Sequence, residues 1–368
     1  MKKAIVILPT YNEKDNVGII IPQILEQQKN IPGWELEILV VDDNSPDNTA
    51  EYVKELQKKY KKLHLISGKK EGLGKAYVRG FRHVLQHLLA DAVFEMDADL
   101  SHDPSSIPDL LKKLDQGFDI VLGARYIKGG SIPKNWALYR KIFSFCGNLV
   151  VRLGFMHLKI HDWTNGFRVI RTSLLPEILE HLENYNGYVF QIALIDRVVK
   201  LQKNIGEVPI NFQERNAGSS KISSGRYIFD ILTYIFQHSS FIKFGIVGLI
   251  GAILDFGTSF MLIERFAFAV WLATVISAEL AIISNFFLNN YWSFSHKKVD
   301  NSLTSMFKSL IQFNTISLGN IVIQAALLQT ATNIFPKEFW YIYKVIIIAL
   351  VIIPYSYFLY NKVVWKKK

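Results

Sequence analysis

The chain has 368 residues, 50% of them hydrophobic, and a formal net charge of +10 at pH 7. This length allows two domains, and the single cysteine, Cys146, excludes an internal disulfide and a cysteine-based metal site. The positive charge would suit nucleic acid, but no nucleic-acid-binding motif accompanies it, so we expect it to face anionic lipid headgroups and phosphorylated substrates.

Composition changes near residue 240, and the part before that point alternates between predicted strands and helices. In chain order these are strand 4–8, helix 15–28, strand 36–41, helix 49–60, strand 63–66, helix 74–89 and strand 92–96. Such alternation is typical of an α/β domain with a mainly parallel sheet. The apolar run that follows Lys2 and Lys3 is too short for a signal peptide, so we expect this domain to remain in the cytoplasm.

Polar residues follow three of the predicted strands. They form the clusters 9–13 (PTYNE), 42–45 (DDNS) and 97–99 (DAD). Open parallel sheets bind their ligands beyond the carboxyl ends of the strands. The agreement of three strand ends therefore predicts a nucleotide site at this edge of the sheet.

The last of these clusters also suggests a metal. Alternate side chains of a strand share a face, so Asp97 and Asp99 are expected to project together from the strand end. Paired carboxylates in this position can hold Mg²⁺ or Mn²⁺ against the phosphates of a nucleotide. The alternative is an ordinary solvated turn, because two acids one residue apart are common in proteins.

A further strand is predicted at 119–122, and two helices beyond it combine apolar with basic residues. The helices at 136–156 and 225–240 are too charged to cross a bilayer and too apolar for an ordinary surface, which favours helices that lie in the membrane interface. The alternative is that both are core helices of the soluble domain.

Long apolar segments make up the rest of the chain, and each is long enough to cross a bilayer. The predicted spans are 241–263, 268–290, 307–330 and 339–361. The middle connection, 295–306, and the three C-terminal lysines at 366–368 are basic, whereas the other two connections are short and nearly charge-balanced. Positive charge favours the cytoplasmic side, so we expect both termini and the middle connection there.

Several short motifs occur in a characteristic order. They are 9–13 (PTYNE), 40–45 (VVDDNS), 96–104 (MDADLSHDP), 123–126 (GARY), 164–168 (TNGFR) and 217–221 (AGSSK). Together they resemble family 2 glycosyltransferases, most nearly the polyprenol-phosphate and dolichol-phosphate mannose synthases. Residues 241–361 resemble the GtrA-like membrane domain that is fused to some of these enzymes.

This resemblance implies a Rossmann-like GT-A fold, a sugar-nucleotide donor, and Mg²⁺ or Mn²⁺ as cofactor. The expected organisation is a catalytic domain at 1–222 that includes the interfacial helix 136–156, a second interfacial helix or linker at 223–240, and a four-span membrane domain at 241–368.

The resemblance also implies roles for individual residues. Those expected to bind the nucleotide sugar are Pro9, Tyr11, Glu13, Val41, Asp43, Asp97, Ala98, Asp99, Arg125, Arg215 and Lys221. Asp97 and Asp99 are expected to bind the metal, with Ser101 as a further ligand, and to be catalytic together with Arg125. Arg140 and Ser144 lie one helical turn apart, hence on one face of the helix, and the resemblance implies that they bind the phosphate of a lipid acceptor.

The residue patterns leave alternatives for three of these positions. Glu13 could cap the helix that follows it, because acids favour helix N-termini. Tyr11 could simply pack, and Arg140 could contact lipid headgroups.

The implied activity is inverting transfer of mannose from GDP-mannose to dolichyl or polyprenyl phosphate at the cytoplasmic membrane face. One alternative keeps the chemistry with a UDP-sugar such as UDP-glucose as donor. Another is a transporter of lipid-linked sugars whose soluble domain senses the nucleotide. A nucleotide-binding oxidoreductase is disfavoured, because no GxGxxG motif follows the first strand.

Overall fold

The computed structural model describes residues 1–214 and 224–366, without the side chains of 224–227. The chain divides into two compact units, one formed by 1–153 with 157–234 and the other by 154–156 with 235–368. The first unit contains the sheet and the second contains long apolar helices.

Within the described residues, the strands of the first unit form one seven-stranded sheet in the order β3-β2-β1-β4-β6-β5-β7. The strands are β1 (Lys2–Thr10), β2 (Trp34–Asp42), β3 (Leu63–Ser67), β4 (Ala92–Glu95), β5 (Ile120–Ala124), β6 (Arg168–Arg171) and β7 (Ile205–Pro209). Only β6 runs antiparallel to its neighbours in this described sheet. The expectation of a mainly parallel α/β domain is confirmed.

Helices connect and cover these strands. They are α1 (Lys14–Glu26), α2 (Thr49–Lys59), α3 (Leu73–His83), α4 (Ile107–Leu114), α5 (Leu138–Phe155), α6 (Leu175–Leu182), α7 (Gly187–Lys200) and α8 (Ser224–His238). A π-helical turn, Val84–Leu88, prolongs α3, which accounts for the longer helix predicted at 74–89.

The central strands are apolar on both faces because helices cover both sides of the sheet. In β1, the side chains from Ala4 to Leu8 are completely buried. The continuous apolar run in the sequence, rather than an alternating pattern, reflects this double burial. Its carboxyl end is thereby held rigidly beside those of β2 and β4.

The sequence patterns do not reveal β6, β7, α4, α6 and α7. β6 has only four residues, and two of them are arginines, which hide a strand from any apolar pattern. Its Arg168 is nevertheless fully buried. A charged side chain can occupy such a position only with tertiary partners, and these are invisible in the local sequence.

The second unit contains four helical segments long and apolar enough to cross a membrane among the residues described. They are Ser240–Glu264, Val270–Ser293, Leu303–Ile334 and Lys337–Val363. We label the α-helices in them α9 (Ser240–Glu264), α10 (Val270–Leu288), α11 (Leu303–Ile334), α12 (Trp340–Ile347) and α13 (Ile353–Val363). The expected four-helix membrane region is confirmed, with the third helix longer than predicted.

Aromatic packing joins one end of these helices. Phe294 stacks on Trp365 with ring centroids 4.3 Å apart, and Phe313 stacks on Tyr360 at the same distance. The indole Nε1 of Trp365 donates to Asn290 Oδ1 at 3.0 Å. The start of the middle connection and the segment around Trp365 therefore lie at the same end of this unit.

Candidate active site

The three polar clusters predicted from the sequence do lie side by side. In the parallel register, Pro9 pairs with Val41 and Thr10 with Asp42. On the other side of β1, Ile7 pairs with Glu95, so the acidic motif emerges from the sheet beside the end of β1. The carboxyl ends of β1, β2 and β4 thus form one continuous edge.

Asp42 joins the first two strand ends. Its buried carboxylate accepts hydrogen bonds from the Thr10 hydroxyl at 3.0 Å and from the backbone N–H and hydroxyl of Ser45. The Ser45 hydroxyl in turn accepts from the Asn12 N–H at 3.1 Å. Asp42 therefore holds the loop after β1, while its neighbour Asp43 faces a different set of groups.

Asp43 lies beside a basic group of α3. Arg79 Nη1 donates to Asp43 Oδ1 at 3.0 Å. Burial raises the pKa of the Asp43 carboxyl, and the hydrogen bond from Arg79 opposes that rise.

Tyr11 and Glu13 lie at the end of β1. The Lys70 ammonium sits 3.3 Å from the centre of the Tyr11 ring, a short cation–π contact. Glu13 occupies the N-cap position of α1 but makes no capping hydrogen bond with its side chain. Its carboxylate instead accepts from Asn16 Nδ2 at 2.6 Å. The structure therefore does not support the capping alternative for Glu13.

The acidic motif presents two carboxylates in different environments. The Asp97 side chain is 27% exposed and accepts from the Tyr77 hydroxyl at 3.3 Å. Asp99 is only 5% exposed, and its Oδ1 accepts from both the backbone N–H and the hydroxyl of Ser101. Ser101 is thus placed to orient Asp99, and its role as a further metal ligand stays a prediction.

Among the described residues, no three His, Cys, Asp or Glu side chains form a metal-binding group. The side chains at this strand end that could bind a metal are therefore the two carboxylates Asp97 and Asp99. Two carboxylates suit a hard cation whose remaining ligands are phosphate oxygens and water, which is how Mg²⁺ is commonly bound. This donor set fits the expected cofactor without a third acidic residue.

A buried histidine holds the backbone of the acidic motif. His102 Nδ1 accepts from the Asp97 N–H at 3.0 Å, so its Nε2 carries the proton and donates to Asn165 Oδ1 at 3.0 Å. Asn165 Nδ2 donates in turn to the Gly123 carbonyl at 2.7 Å. The sequence patterns did not predict this bridge between three motifs.

Beneath the motif lies a buried pair of opposite charges. Glu95 Oε2 is 3.6 Å from Arg168 Nε, and both side chains are completely buried. Burial raises the pKa of Glu95 to about 7, although the charge of Arg168 opposes this. Burial likewise lowers the pKa of Arg168. This pair forms the floor of the strand end that carries Asp97.

Arg125, which is expected to bind phosphate, is paired with a carboxylate inside the protein. Its Nε and Nη2 donate to the Asp162 carboxylate at 2.7 and 2.8 Å, and Nη2 also donates to the Thr164 hydroxyl at 2.9 Å. Burial alone would raise the pKa of Asp162, but the charge of Arg125 holds it below its ordinary value. Arg125 is thus a positive charge compensated inside the protein, and the pair joins β5 to the segment before β6.

The middle of α5 is attached to the segment that follows Asp162. Asn148 Nδ2 donates to the Thr164 hydroxyl at 3.1 Å, and its Oδ1 accepts from the Trp163 N–H at 2.8 Å. The Tyr126 hydroxyl donates to Ser144 Oγ at 2.6 Å. Ser144 therefore lies close to the GARY segment, and its hydroxyl has a protein partner.

Arg140 lies further towards the start of α5 and is more accessible. Its guanidinium stacks on the Trp136 ring at 4.0 Å, and Nη1 is 3.8 Å from Glu214 Oε1. The side chain remains 43% exposed. A partly exposed guanidinium held against an indole ring is still able to bind an anion.

Both helices predicted to be interfacial carry exposed apolar side chains. Those of α5 include Leu138, Tyr139, Ile142, Phe143, Phe145, Leu149, Val150 and Leu153, and those of α8 include Phe229, Leu232 and Phe236. Core helices would bury such residues, so this exposure favours the interfacial alternative.

Two expected phosphate-binding residues, Arg215 and Lys221, lie outside the described residues. The remaining expected contacts, Pro9, Val41 and Ala98, are at the strand ends described above, with Ala98 and Val41 buried.

Two family profiles match the chain. Glycosyl transferase family 2 matches residues 5–179, and the GtrA/DPMS transmembrane domain matches residues 243–365. The first covers the sheet and the acidic motif, and the second covers the four apolar helices. The protein belongs to glycosyltransferase family 2, in the group that carries this transmembrane domain.

Curated relatives support the same assignment. The dolichol-phosphate mannosyltransferase of Pyrococcus furiosus is 33% identical over 329 residues, which cover 87% of this chain and 88% of the relative. The undecaprenyl-phosphate mannosyltransferase of Micrococcus luteus is 37% identical, over 61% of this chain and 88% of the relative. The polyprenol monophosphomannose synthase of Mycolicibacterium smegmatis is also 37% identical, over 60% and 82%. The resemblance to mannose synthases is confirmed.

The Arg125–Asp162 pair makes a prediction about stability. Asp162→Asn leaves a buried guanidinium without its counter-charge, which typically costs about 3–5 kcal/mol. We expect a large drop in the thermal unfolding midpoint of the purified protein in detergent.

The matched control is Glu177→Gln, which removes an equally charged partner from the exposed pair with Lys203. Exposed pairs contribute about 0–1 kcal/mol, so the midpoint should barely change. Equal midpoints for the two variants would show that the buried pair is not a main support of the site.

Proposed function

We propose that this protein transfers mannose from GDP-mannose to a polyprenyl phosphate such as dolichyl phosphate, at the cytoplasmic face of the membrane. The observation that carries the proposal is the shared edge of β1, β2 and β4, where Asp97 and Asp99 lie beside Tyr11 and Asp43. The relatives named as mannosyltransferases of lipid phosphates support the choice of sugar and acceptor.

The donor nucleotide is proposed to lie along this edge. Tyr11, Glu13 and Asp43 offer an aromatic ring and two carboxylates for the base and ribose. Pro9, Val41 and Ala98 provide the close backbone surface at the strand ends. Arg215 and Lys221 are proposed to hold the diphosphate, for which a guanidinium fork and an ammonium are suited.

Asp97 and Asp99 are proposed to hold Mg²⁺ or Mn²⁺, which when bound would neutralise the charge of the leaving diphosphate. Ser101 orients the Asp99 carboxylate through its hydroxyl and N–H. His102 fixes the backbone of Asp97. Both carboxylates are thereby set before the donor arrives, which is the arrangement that favours electrostatic catalysis.

The acceptor is proposed to approach along α5. The exposed apolar side chains of this helix suit the membrane interface, and Arg140 remains accessible at its start. A lipid whose tail stays in the bilayer can present its phosphate only near that surface. Arg140 would hold this phosphate, with Ser144 one turn further along the helix.

The acceptor oxygen belongs to a phosphate that is already ionised near neutral pH, so the protein need not supply a strong base. Its residues instead bring two anionic groups together and align them for in-line attack on the anomeric carbon. A single displacement inverts that carbon and gives a β-linked mannosyl phosphate from the α-linked donor. Arg125 contributes indirectly, by joining the GARY segment to Asp162.

The orientation in the membrane is proposed from charge. Phe294, just before the basic connection 295–306, stacks on Trp365, just before the C-terminal lysines, and basic segments favour the cytoplasm.

A donor panel tests the proposal. The full-length protein in detergent is given GDP-mannose, UDP-glucose, UDP-galactose or UDP-GlcNAc with a short polyprenyl phosphate and Mn²⁺. We expect labelled sugar to reach the lipid from GDP-mannose. If only a UDP-sugar supports transfer, that sugar nucleotide replaces GDP-mannose as the proposed donor. Absence of turnover with every donor would favour a transporter with a nucleotide-sensing domain.

Asp99→Asn tests the metal site. Loss of one ligand and its charge should remove several kcal/mol of diphosphate stabilisation, which corresponds to at least about a hundredfold loss of transfer. Asp103→Asn, four residues further along, is the control, because asparagine replaces aspartate well at the start of the helical turn that Asp103 caps. Near-normal turnover of Asp99→Asn with saturating Mn²⁺ would rule out Asp99 as a ligand.

Arg140→Ala tests the acceptor site. We expect a higher KM for polyprenyl phosphate with little change in the affinity for the donor nucleotide, because the guanidinium is proposed to bind the lipid phosphate only. Lys141→Ala removes the same charge from the next position of α5 and should leave this KM nearly unchanged. If Arg140→Ala weakens nucleotide and acceptor binding equally, the start of α5 belongs to the donor site.

A further inference from the structure

Asp43 is the proposed contact for the nucleotide base, and Arg79 is the side chain among the described residues that donates to its carboxylate. Arg79 lies on α3 and is outside the motifs at the ends of β1 and β2. Its Nη1 bonds to Asp43 Oδ1 at 3.0 Å, and its Nη2 bonds to the carbonyl of Lys69 at 2.9 Å. One guanidinium therefore joins the end of β2 to the connection between β3 and α3.

The same connection carries a second group of the proposed base site. Lys70 follows the Lys69 carbonyl directly and places its ammonium 3.3 Å from the centre of the Tyr11 ring. Arg79 thus holds Asp43 by a side-chain contact and, through the backbone at Lys69, the residue that covers Tyr11. Displacement of Arg79 would release both sides of the base site together.

The local fold makes room for this guanidinium. A Cβ at Gly68 would lie 2.4 Å from Arg79 Cζ, much closer than any real contact allows. Gly68 N–H donates to the Asp42 carbonyl at 2.9 Å, so this residue is fixed beside the end of β2. The absence of a side chain at Gly68 is therefore what allows Arg79 to reach Asp43.

The charge of Arg79 also matters to the state of Asp43. The Asp43 side chain is 8% exposed, and burial favours its neutral form, while the nearby Asp42 adds repulsion. Arg79 and Lys70 oppose both effects. An ionised carboxylate with a defined orientation can accept hydrogen bonds from a base N–H, whereas a rotated or protonated one cannot accept them in the same way.

We infer that Arg79 is a specificity-determining positioning residue, which orients the Asp43 carboxylate towards the nucleotide base without touching the base itself. The inference rests on the proposed function for the location of the nucleotide, but not on which base is bound. Guanine offers a carboxylate two adjacent donors, N1–H and N2–H, hypoxanthine offers only N1–H, and uracil only N3–H. Discrimination among them should depend on the orientation that Arg79 imposes.

The test measures the affinities of GDP, IDP and UDP for the full-length protein in detergent with Mn²⁺, by calorimetry. For Arg79→Gln we expect the preferred nucleotide to bind about tenfold more weakly, because a hydrogen bond to a charged group is lost or misdirected. The non-preferred nucleotides should be much less affected, so the preference should shrink or vanish. In turnover assays KM for the donor should rise while kcat stays nearly unchanged.

Two further variants separate positioning from charge and from folding. Gly68→Ala keeps the charge of Arg79 but pushes the guanidinium away, and should reduce the preference in the same direction. Arg82→Gln is the matched control, because Arg82 lies one turn along α3 and pairs with the exposed Glu183. It should keep the wild-type preference.

The outcomes are distinct. Equal weakening of all three nucleotides by Arg79→Gln, or an unchanged preference in Arg79→Gln or Gly68→Ala, would overturn the inference. If the wild-type protein prefers UDP, GDP-mannose is wrong as the proposed donor, but the inference about Arg79 is not affected. Loss of the UDP preference in Arg79→Gln would then still support the role of Arg79.

Discussion

Crowding of carboxylates at one edge of the sheet is the constraint on which the rest of this structure depends. A charged group away from water must be paired or hydrogen-bonded, and this protein meets the requirement differently at each position. Asp42 uses hydroxyl and amide donors, Asp43 uses Arg79, Asp99 uses Ser101, and Asp162 uses Arg125. The same edge can therefore be strongly acidic and still be ordered.

This division separates carboxylates that hold the fold from those available for chemistry. Asp42 and Asp162 are completely or almost completely buried and serve as anchors for loops. Asp97 keeps the greater exposure of the two carboxylates in the acidic motif. His102 and Asn165 connect this motif to the end of β5. Hydrogen bonds and ion pairs within the protein thus decide which carboxylates remain accessible to a cation.

The two halves of the chain obey different physical rules. In the first unit, apolar side chains gather in a core between sheet and helices, and polar groups lie at strand ends. In the second, large apolar side chains such as Phe256 and Trp271 are exposed along the helices, as expected where lipid replaces water. Helix α5 combines the two patterns, with Asn148 buried against the first unit and Phe143 exposed. This combination is what a catalytic domain needs if its acceptor remains in a membrane.

The sequence by itself determined the α/β class, the positions of the first strands along the chain, the acidic strand end and the four apolar helices. These features depend on local patterns: apolar runs, strand-end acids, and segments of about 20 apolar residues. The motifs also identified the glycosyltransferase family before any contact was known. Each of these signals is contained in neighbouring residues of the chain.

Only the tertiary structure decided what the individual charged residues do. The family resemblance implies that Arg125 binds phosphate, and the structure adds a partner for its charge, Asp162, which lies 37 positions away. Arg79 lies in none of the motifs named above, and its partner Asp43 lies 36 positions earlier in the chain. The four-residue strand β6 places the buried Arg168 beside Glu95 of the neighbouring strand β4. The role of a charge depends on which group neutralises it, and that partner is chosen by folding rather than by proximity along the chain.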